Sequence, residues 1–261
     1  MQDLRITLIQ TALFWENPEA NRNLFLKHFE QIKEPSDLIV LPEMFPTGFS
    51  MQPEKLSETM DGSSITWMKE QANRLNTTIV GSLIIQEKGH FYNRLIWMRP
   101  DATFATYDKK HLFSMGEEDK HYSAGKERLV VELKGWKVCP QVCYDLRFPA
   151  WNRNQNDYDL LLFIANWPER RSFAWKKLLQ ARAIENQAYV IGLNRVGNDG
   201  NDISHSGDSA IIDPLGEIAF TQADIPFVKT FTLSGKRLQF VRKKFPFLKD
   251  ADEFDINNRD D

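Results

Sequence analysis

One stretch of the sequence combines a cysteine with the features of a sharp junction between a strand and a turn. Residues 138–142 are mostly apolar and favour a strand, and Cys143 is followed at once by Tyr144, Asp145 and Arg147. Hydrolases use such an elbow to expose a nucleophile above a sheet, from where it can attack a carbonyl carbon. A lone cysteine is also commonly a small buried hydrophobe. A nucleophilic role therefore requires a base and an oxyanion donor from elsewhere in the chain.

Three charged residues are candidates to supply that chemistry. Glu43 follows the apolar run 37–41 and a proline, which cannot donate to a strand ladder. It is therefore expected at the carboxyl end of a strand, where α/β sheets place their ligands. Lys109 and Glu118 lie in the charged, irregular segment 108–125, and long loops of compact domains are usually functional or disordered. Each residue also has an ordinary interpretation, as a solvated carboxylate or part of a solvated charge run.

The elements that position these residues follow from hydrophobic periodicity and from turn residues. Strands are predicted at 4–10, 37–41, 78–85, 91–98, 104–107, 129–133, 136–142, 160–165, 190–193, 209–212, 217–221 and 227–233. Helices are predicted after Asn17, over 65–75 with a cap at Ser63 or Ser64, over 172–188 and over 234–245. A polar loop is expected at 198–207, and an acidic tail, mobile in part, at about 250–261. Interleaved strands and helices without a linker predict one layered α/β domain.

Composition and charge exclude several function classes. The 261 residues carry a net charge of -3, which gives no basic footprint for nucleic acid and no cationic face for membranes. No apolar run approaches the roughly 20 residues that span a bilayer, and the amino terminus lacks the pattern of a signal peptide. On one strand, Cys139 and Cys143 are about 13 Å apart, too far for a disulfide. We therefore expect a reduced, cytoplasmic protein with Cys139 in the core.

These segments, in this order, resemble the nitrilase (carbon–nitrogen hydrolase) superfamily, whose members carry a Glu-Lys-Cys triad. The resemblance runs from Leu8 to Glu217. The motifs at 143–149 (Cys-Tyr-Asp-Leu-Arg-Phe-Pro), 165–168 (Ala-Asn-Trp-Pro) and 181–189 are similar to those of bacterial omega-amidases. The resemblance implies a single domain over 1–261 with the four-layer αββα sandwich of the nitrilase type. It also implies pairing into a homodimer or higher homo-oligomer.

The resemblance assigns a role to each candidate. It implies that Cys143 is the nucleophile, Glu43 the general base and acid, and Lys109 rather than Lys110 the cation that stabilises the oxyanion. The backbone N–H of Tyr144 is the expected second oxyanion donor. A supporting glutamate maps to Glu118, while Glu117 stays possible because the loop could shift by one residue. No metal and no cofactor is expected.

The resemblance also implies a substrate class, a small-molecule amide. Omega-amidases hydrolyse 2-oxoglutaramate to 2-oxoglutarate and ammonia, and such a 2-oxo acid brings a carboxylate that needs a cation. Arg147 is the candidate, with a structural ion pair as the equal alternative, and Phe113, Asn166 and Trp167 are expected near the pocket mouth. Other nitrilase-branch amidases, acting on deaminated glutathione or an N-carbamoyl amide, remain open, as does a non-catalytic binding protein on this fold.

Overall fold

The computed structural model describes residues 1–256, which form two β-sheets flanked by helices. The strands are β1 (Leu4–Gln10), β2 (Leu38–Val40), β3 (Thr78–Glu87), β4 (His90–Met98), β5 (Phe104–Asp108), β6 (Val131–Leu133), β7 (Trp136–Val142), β8 (Leu160–Ala165), β9 (Tyr189–Asn194), β10 (Val196–Asn198), β11 (Ser204–Ile212), β12 (Ile218–Ala223) and β13 (Phe227–Leu233). The helices are α1 (Pro18–Phe29), α2 (Pro53–Leu56), α3 (Ser63–Leu75), α4 (Glu118–His121), α5 (Pro149–Asn152), α6 (Ser172–Asn186) and α7 (Gly235–Lys244).

The first sheet has the strand order β13-β1-β2-β3-β4-β5. Its centre is parallel, because β2 pairs in parallel with both β1 and β3. Its two flanks are antiparallel, with β13 on β1 and the meander β3-β4-β5 on the other side. The second sheet has the order β10-β11-β9-β8-β7-β6, with β12 on β11, and β7, β8 and β9 are parallel. Parallel central strands need both faces covered.

Alternating side chains on these strands cover the two faces with different partners. Along β1, Leu8 belongs to the core between the sheets and Ile9 to the core beneath the helices. The helix-side core joins the first sheet to α1 and α3 through Phe25, Phe29, Ile65, Met68 and Ala72. The second sheet is covered by α6 through Trp175, Leu179 and Ala183. A side chain at Gly192 of β9 would lie 2.5 Å from Leu179, so this glycine permits the close approach of α6.

The order of layers is therefore helices, sheet, sheet, helices, because β1 lies against β9 and β4 against β7. This arrangement confirms the predicted αββα sandwich. It also places the carboxyl ends of β2 and of β7 in neighbouring layers. None of the helices formed by residues 1–256 is long and apolar enough to cross a membrane.

Three details of the sequence interpretation were wrong or incomplete. No serine caps α3: Gly62 is the cap residue, and the backbone N–H of Ser64 donates instead to Glu58 Oε2 at 2.6 Å. Only half of the segment 198–207 is a loop, because β10 and β11 pair through its two ends and residues 199–203 form the turn between them. The polar composition of this segment predicted a loop, but the pairing of β10 with β11 is made by backbone groups and does not depend on apolar side chains.

Part of the tail predicted at 250–261 is ordered against the body of the protein. Leu248 is buried, and the Phe254 carbonyl accepts a hydrogen bond from Gln155 Nε2 at 2.9 Å. Residues 257–261 lie outside the described residues. A single domain over 1–261 stays a prediction.

Candidate active site

Cys143 stands at the sharp turn where β7 ends. Its φ of +47° lies in the left-handed region that non-glycine residues rarely adopt, and a 3₁₀ turn, Cys143–Arg147, begins there. Only 9% of the residue is exposed, on the wall of a pocket. Strained backbone of this kind persists only where the surroundings hold it. The elbow predicted from the sequence is therefore present, and Cys139 lies fully buried in the core as expected.

The side chain of Asp145 stabilises the turn at Cys143 through hydrogen bonds. Its Oδ2 accepts the backbone N–H of Val142 at 3.1 Å and the hydroxyl of Tyr107 at 2.8 Å. Its Oδ1 accepts the backbone N–H of His111 at 2.9 Å and lies 2.8 Å from Nδ1 of that ring. The carboxylate is fully buried. Asp145 thus fastens the elbow to the segment that follows β5, where Lys109 lies.

Glu43 lies three residues after the end of β2 and is fully buried. Its Oε2 accepts the backbone N–H of Asn166 at 2.7 Å, and its backbone carbonyl accepts Asn166 Nδ2 at 2.6 Å. Asn166 follows β8 of the second sheet, so these two bonds tie the two sheets together at the site. Met44 and Phe45 are fully buried behind Glu43 and do not line the pocket.

Lys109 is a buried cation between two carboxylates. Its Nζ donates to Glu43 Oε1 at 3.0 Å and to the two oxygens of Glu118 at 3.0 and 2.9 Å. The backbone of Lys109 is fixed by its N–H, which donates to Asn93 O at 3.0 Å, and by its carbonyl, which accepts Gly125 N at 2.9 Å. A side chain at Gly125 would lie 2.0 Å from the carbonyl oxygen of Asp108. Glycine is therefore required where the loop closes on β5.

The structure separates the two glutamates that the sequence left open. Glu118 is fully buried, and its Oε2 also accepts the backbone N–H of Phe113 at 2.7 Å. Glu117 is exposed and pairs with Lys120 at 2.6 Å. Only Glu118 reaches Lys109, because the turn at Glu117, with a φ of +60°, sends consecutive side chains in different directions.

Asn93 is a member of the cluster that sequence reasoning missed. Its Nδ2 donates to Glu43 Oε1 at 2.8 Å and to Glu118 Oε1 at 3.3 Å, so one amide bridges both carboxylates. Asparagine is depleted in strands, and Asn93 is the first residue of the fully buried part of β4. That polar residue in a buried strand was the available signal. The partners lie 50 and 25 residues away, which no local pattern shows.

The electrostatics of the cluster favour an ammonium beside a neutral thiol. Burial alone lowers the pKa of Lys109, but Glu118 and Glu43 outweigh it and the net pKa is raised. Burial, followed by the charge of Glu43, raises the pKa of the Cys143 thiol well above its ordinary value, and Lys109 only partly opposes this. Burial also raises the pKa of Glu118, against the effect of Lys109. Lys109 is therefore charged at neutral pH while Cys143 carries its proton.

The pocket above Cys143 has a volume of about 200 Å³. This is less than the roughly 300–1,000 Å³ of pockets for drug-sized ligands, so it suits a small metabolite. The three residues predicted near the mouth, Phe113, Asn166 and Trp167, line it, and so does Arg147, the predicted partner of the substrate carboxylate. Lining residues that sequence reasoning did not identify include Phe49, Met51, Arg170, Arg171, Asp199 and His205.

Arg147 makes no structural ion pair within residues 1–256. Its guanidinium lies 4.8 Å from the ring centroid of Trp167, a cation–π contact, and no described carboxylate comes within 4 Å of it. That leaves its hydrogen-bonding edge available to the pocket, which Arg147 lines. Lys110, by contrast, does not line the pocket.

The fold and the sequence family together define the class of this protein. A family model described as carbon–nitrogen hydrolase matches residues 5–226. The chain therefore belongs to the carbon–nitrogen hydrolase family, as the sequence motifs predicted. It is an amidase, a hydrolase acting on carbon–nitrogen bonds other than peptide bonds.

Particular relatives narrow that class. The chain is 48% identical to omega-amidase YafV of Escherichia coli K12 over 256 residues, which covers 97% of this chain and 99% of the relative. It is 34% identical to 2-oxoglutaramate amidase of Bacillus subtilis over 218 residues, 82% of this chain and 84% of the relative. The crystal structure of XC1258 from Xanthomonas campestris, a CN-hydrolase superfamily protein with an arsenic adduct in its active site, superposes with a TM-score of 0.96 at 45% identity. That match covers 98% of this chain and all of the other.

Proposed function

We propose that this protein hydrolyses the omega-amide of a small 2-oxo dicarboxylate monoamide, such as 2-oxoglutaramate or 2-oxosuccinamate, to the 2-oxo acid and ammonia. The observation that carries the proposal is the buried cluster of Glu43, Lys109 and Glu118 beside a thiol on the pocket wall. The names of the relatives, omega-amidase and 2-oxoglutaramate amidase, support the same reaction.

The first step of the proposed mechanism is attack by Cys143. Because its pKa is raised, the thiol must lose its proton as it attacks, and Glu43 is the carboxylate beside it. The Sγ–C bond forms, the carbonyl π electrons move onto oxygen, and Glu43 takes the thiol proton. Coupling proton removal to attack avoids a free thiolate next to two carboxylates.

The oxyanion that forms needs preorganised donors. Lys109 lines the pocket, and its Nζ is held in place by two carboxylates. The N–H of Tyr144 belongs to the first turn of the 3₁₀ segment after Cys143, where backbone donors lack acceptors within the helix. A donor of this kind is worth about 3 kcal/mol in the transition state. Lys109 and Tyr144 N–H are the proposed pair.

Collapse of the tetrahedral intermediate releases ammonia and leaves a thioester. Glu43 returns the proton to the leaving nitrogen, the C–N bond breaks, and the acyl group stays on Sγ. Glu43 then removes a proton from a water molecule, whose oxygen attacks the thioester carbonyl. The C–S bond breaks, Cys143 regains a proton, and the 2-oxo acid leaves. Glu118, with Asn93, holds Lys109 and Glu43 in place throughout.

The direct test measures ammonia released from 2-oxoglutaramate by the wild type and by Cys143→Ala. We expect activity to disappear in Cys143→Ala, while Cys139→Ala, its matched control four residues away in the core, stays active. Brief mixing of substrate with the wild type followed by acid quenching and mass spectrometry should show an adduct on Cys143 of the substrate mass less ammonia. Turnover by Cys143→Ala would refute the assignment of the nucleophile.

A substrate panel separates this proposal from other amidases of the same family. 2-Oxoglutaramate, 2-oxosuccinamate, deaminated glutathione and an N-carbamoyl amide should be ranked by kcat/KM. If the enzyme prefers deaminated glutathione or the N-carbamoyl amide, the proposed mechanism still holds but the proposed substrate is wrong. A non-catalytic binding role would be supported only if no amide of the panel were turned over.

We also propose a homodimer in the cytoplasm, as the family resemblance implies. On α6, Phe173 and Ile184 are 74% and 54% exposed, and their separation of about three helical turns puts both on one face of the helix. Contiguous apolar surface of this kind marks sites of association. Light scattering of the purified protein, repeated with Phe173→Lys, tests the assembly. A monomeric wild type would refute it.

A further inference from the structure

Three arginine side chains line the pocket without a counter-charge. Arg147, Arg170 and Arg171 all reach it, and within residues 1–256 no carboxylate lies within 4 Å of any of their guanidinium groups. Asp199 is the acidic residue that lines the pocket, and its Oδ1 accepts hydrogen bonds from the backbone N–H groups of Asn201 and Ile203, at 2.8 and 3.0 Å. One acid against three arginines leaves the mouth of the pocket with an excess of positive charge.

Two of these arginines are held in place by aromatic rings of the pocket. Arg147 ends the 3₁₀ turn after Cys143 and lies 4.8 Å from the ring centroid of Trp167. Arg171 ends another 3₁₀ turn, Glu169–Arg171, and lies 4.8 Å from the ring centroid of Phe113. Ring contacts hold a guanidinium by its face and leave its N–H edge available for hydrogen bonds. Both groups are thus preorganised for a ligand.

Trp167 connects the two positions. Its ring supports Arg147, and its Nε1 donates to the backbone carbonyl of Arg171 at 2.9 Å. Arg170, by comparison, is exposed and makes no cation–π contact with any aromatic ring of residues 1–256. Burial and the charges of Arg170 and Arg147 lower the pKa of Arg171, as expected of a partly buried cation that has no built-in anion.

We propose that Arg171, together with Arg147, binds the carboxylate of the substrate at the end remote from the scissile amide. Two planar guanidinium forks from different chain segments can hold both carboxylate oxygens, a geometry that a single lysine cannot supply. The inference rests on the proposed function and names the residue pair that selects carboxylated amides. Sequence reasoning missed Arg171 because Glu-Arg-Arg before a helix looks like an ordinary surface charge run.

The test compares two amides on one set of variants. 2-Oxoglutaramate carries the carboxylate, and pentanamide is a neutral amide of the same chain length. Arg171→Gln should lower kcat/KM for 2-oxoglutaramate by about ten- to a hundredfold, mostly through KM, since a hydrogen bond to a charged group is lost. It should leave kcat/KM for pentanamide within about threefold. For Arg171→Lys, both values should lie between those of the wild type and of Arg171→Gln. Lys177→Gln removes an exposed cation of α6 that does not line the pocket, and it should change neither value by more than about threefold.

The pentanamide rate also controls for folding, because a misfolded variant loses both activities. Equal losses on both amides in Arg171→Gln, or a loss in Lys177→Gln as large as that in Arg171→Gln, would overturn the role of Arg171. The wild type alone tests the proposed function. If the wild type turns over other carboxylated amides but not 2-oxoglutaramate, the proposed substrate is wrong. The role of Arg171 is then tested by the ratio of kcat/KM between the wild type and Arg171→Gln on those other amides. A wild type without preference for carboxylated amides overturns both.

Discussion

Replacing Glu118 by glutamine removes one negative charge from the buried cluster and keeps the shape of the side chain. The carboxylate accepts four hydrogen bonds, two from Lys109 Nζ and one each from Phe113 N and Asn93 Nδ2. Glutamine offers one accepting oxygen, and its amide nitrogen must face a donor. At least one bond to the ammonium is therefore lost. Lys109 keeps its partner Glu43 at 3.0 Å, so the cation is not left unpaired.

The size of the effect follows from the bond that is lost. A hydrogen bond to a charged group contributes about 1.5–3 kcal/mol. If the loss appears in the transition state, where Lys109 must meet the oxyanion, kcat falls by about ten- to 150-fold. KM should stay within about twofold, because Glu118 does not line the pocket. A defect of folding would instead lower the midpoint of thermal unfolding.

The assay is steady-state ammonia release by Glu118→Gln and by Glu117→Gln, with thermal unfolding of each. Glu117 is the matched control, since it is the adjacent residue, exposed, and paired only with Lys120 among the described side chains. We expect wild-type kcat for Glu117→Gln. Full activity in Glu118→Gln, or equal losses in both variants, would refute the reasoning about the cluster.

Three further predictions concern the same cluster and the elbow. Asn93→Ala removes the amide that bridges the two carboxylates, so kcat should fall about tenfold with little change in KM, as measured by ammonia release. Asp145→Ala removes four contacts of the elbow and should lower stability by about 3 kcal/mol or more and abolish turnover; an urea midpoint equal to that of the wild type would contradict this. Iodoacetamide should label Cys143 and leave Cys139 unmodified in mass spectra. Because the pKa of Cys143 is raised well above 9, its labelling rate should still increase through pH 9; a plateau below pH 8 would contradict the raised pKa.

Much of the fold could be predicted because the buried strands carry their own signal. The apolar run that became β2 and the proline after it correctly placed Glu43 at a strand end. The run that became β8 likewise placed Asn166 at the neighbouring strand end. Failures occurred where tertiary contacts decide. Ser64 bonds to Glu58 instead of capping α3, and the polar strand β10 forms because β11 pairs with it.

The site divides in the same way between local and long-range information. Glu43, Lys109 and Cys143 stand in distinctive sequence contexts, so their roles could be proposed from the chain alone. Asn93 gave only the weak local signal of a polar residue in a buried strand, and nothing local distinguishes Arg171 from a surface charge. Their importance comes from what the fold brings to them, namely two carboxylates in one case and an aromatic ring in the other.

Burial and the charge of the cluster together explain why the nucleophile of the free protein is a thiol. Burial raises the pKa of Cys143 most, and the two carboxylates of Glu43 and Glu118, against the one ammonium of Lys109, raise it further. A thiolate in the free protein would be exposed to oxidation, which follows thiolate character. When an amide carbonyl arrives, the developing charge moves to its oxygen beside Lys109 and the thiol proton moves to Glu43. The same surplus carboxylate that suppresses the thiolate before binding is then the acceptor that attack requires, so in the proposed mechanism the substrate itself triggers activation.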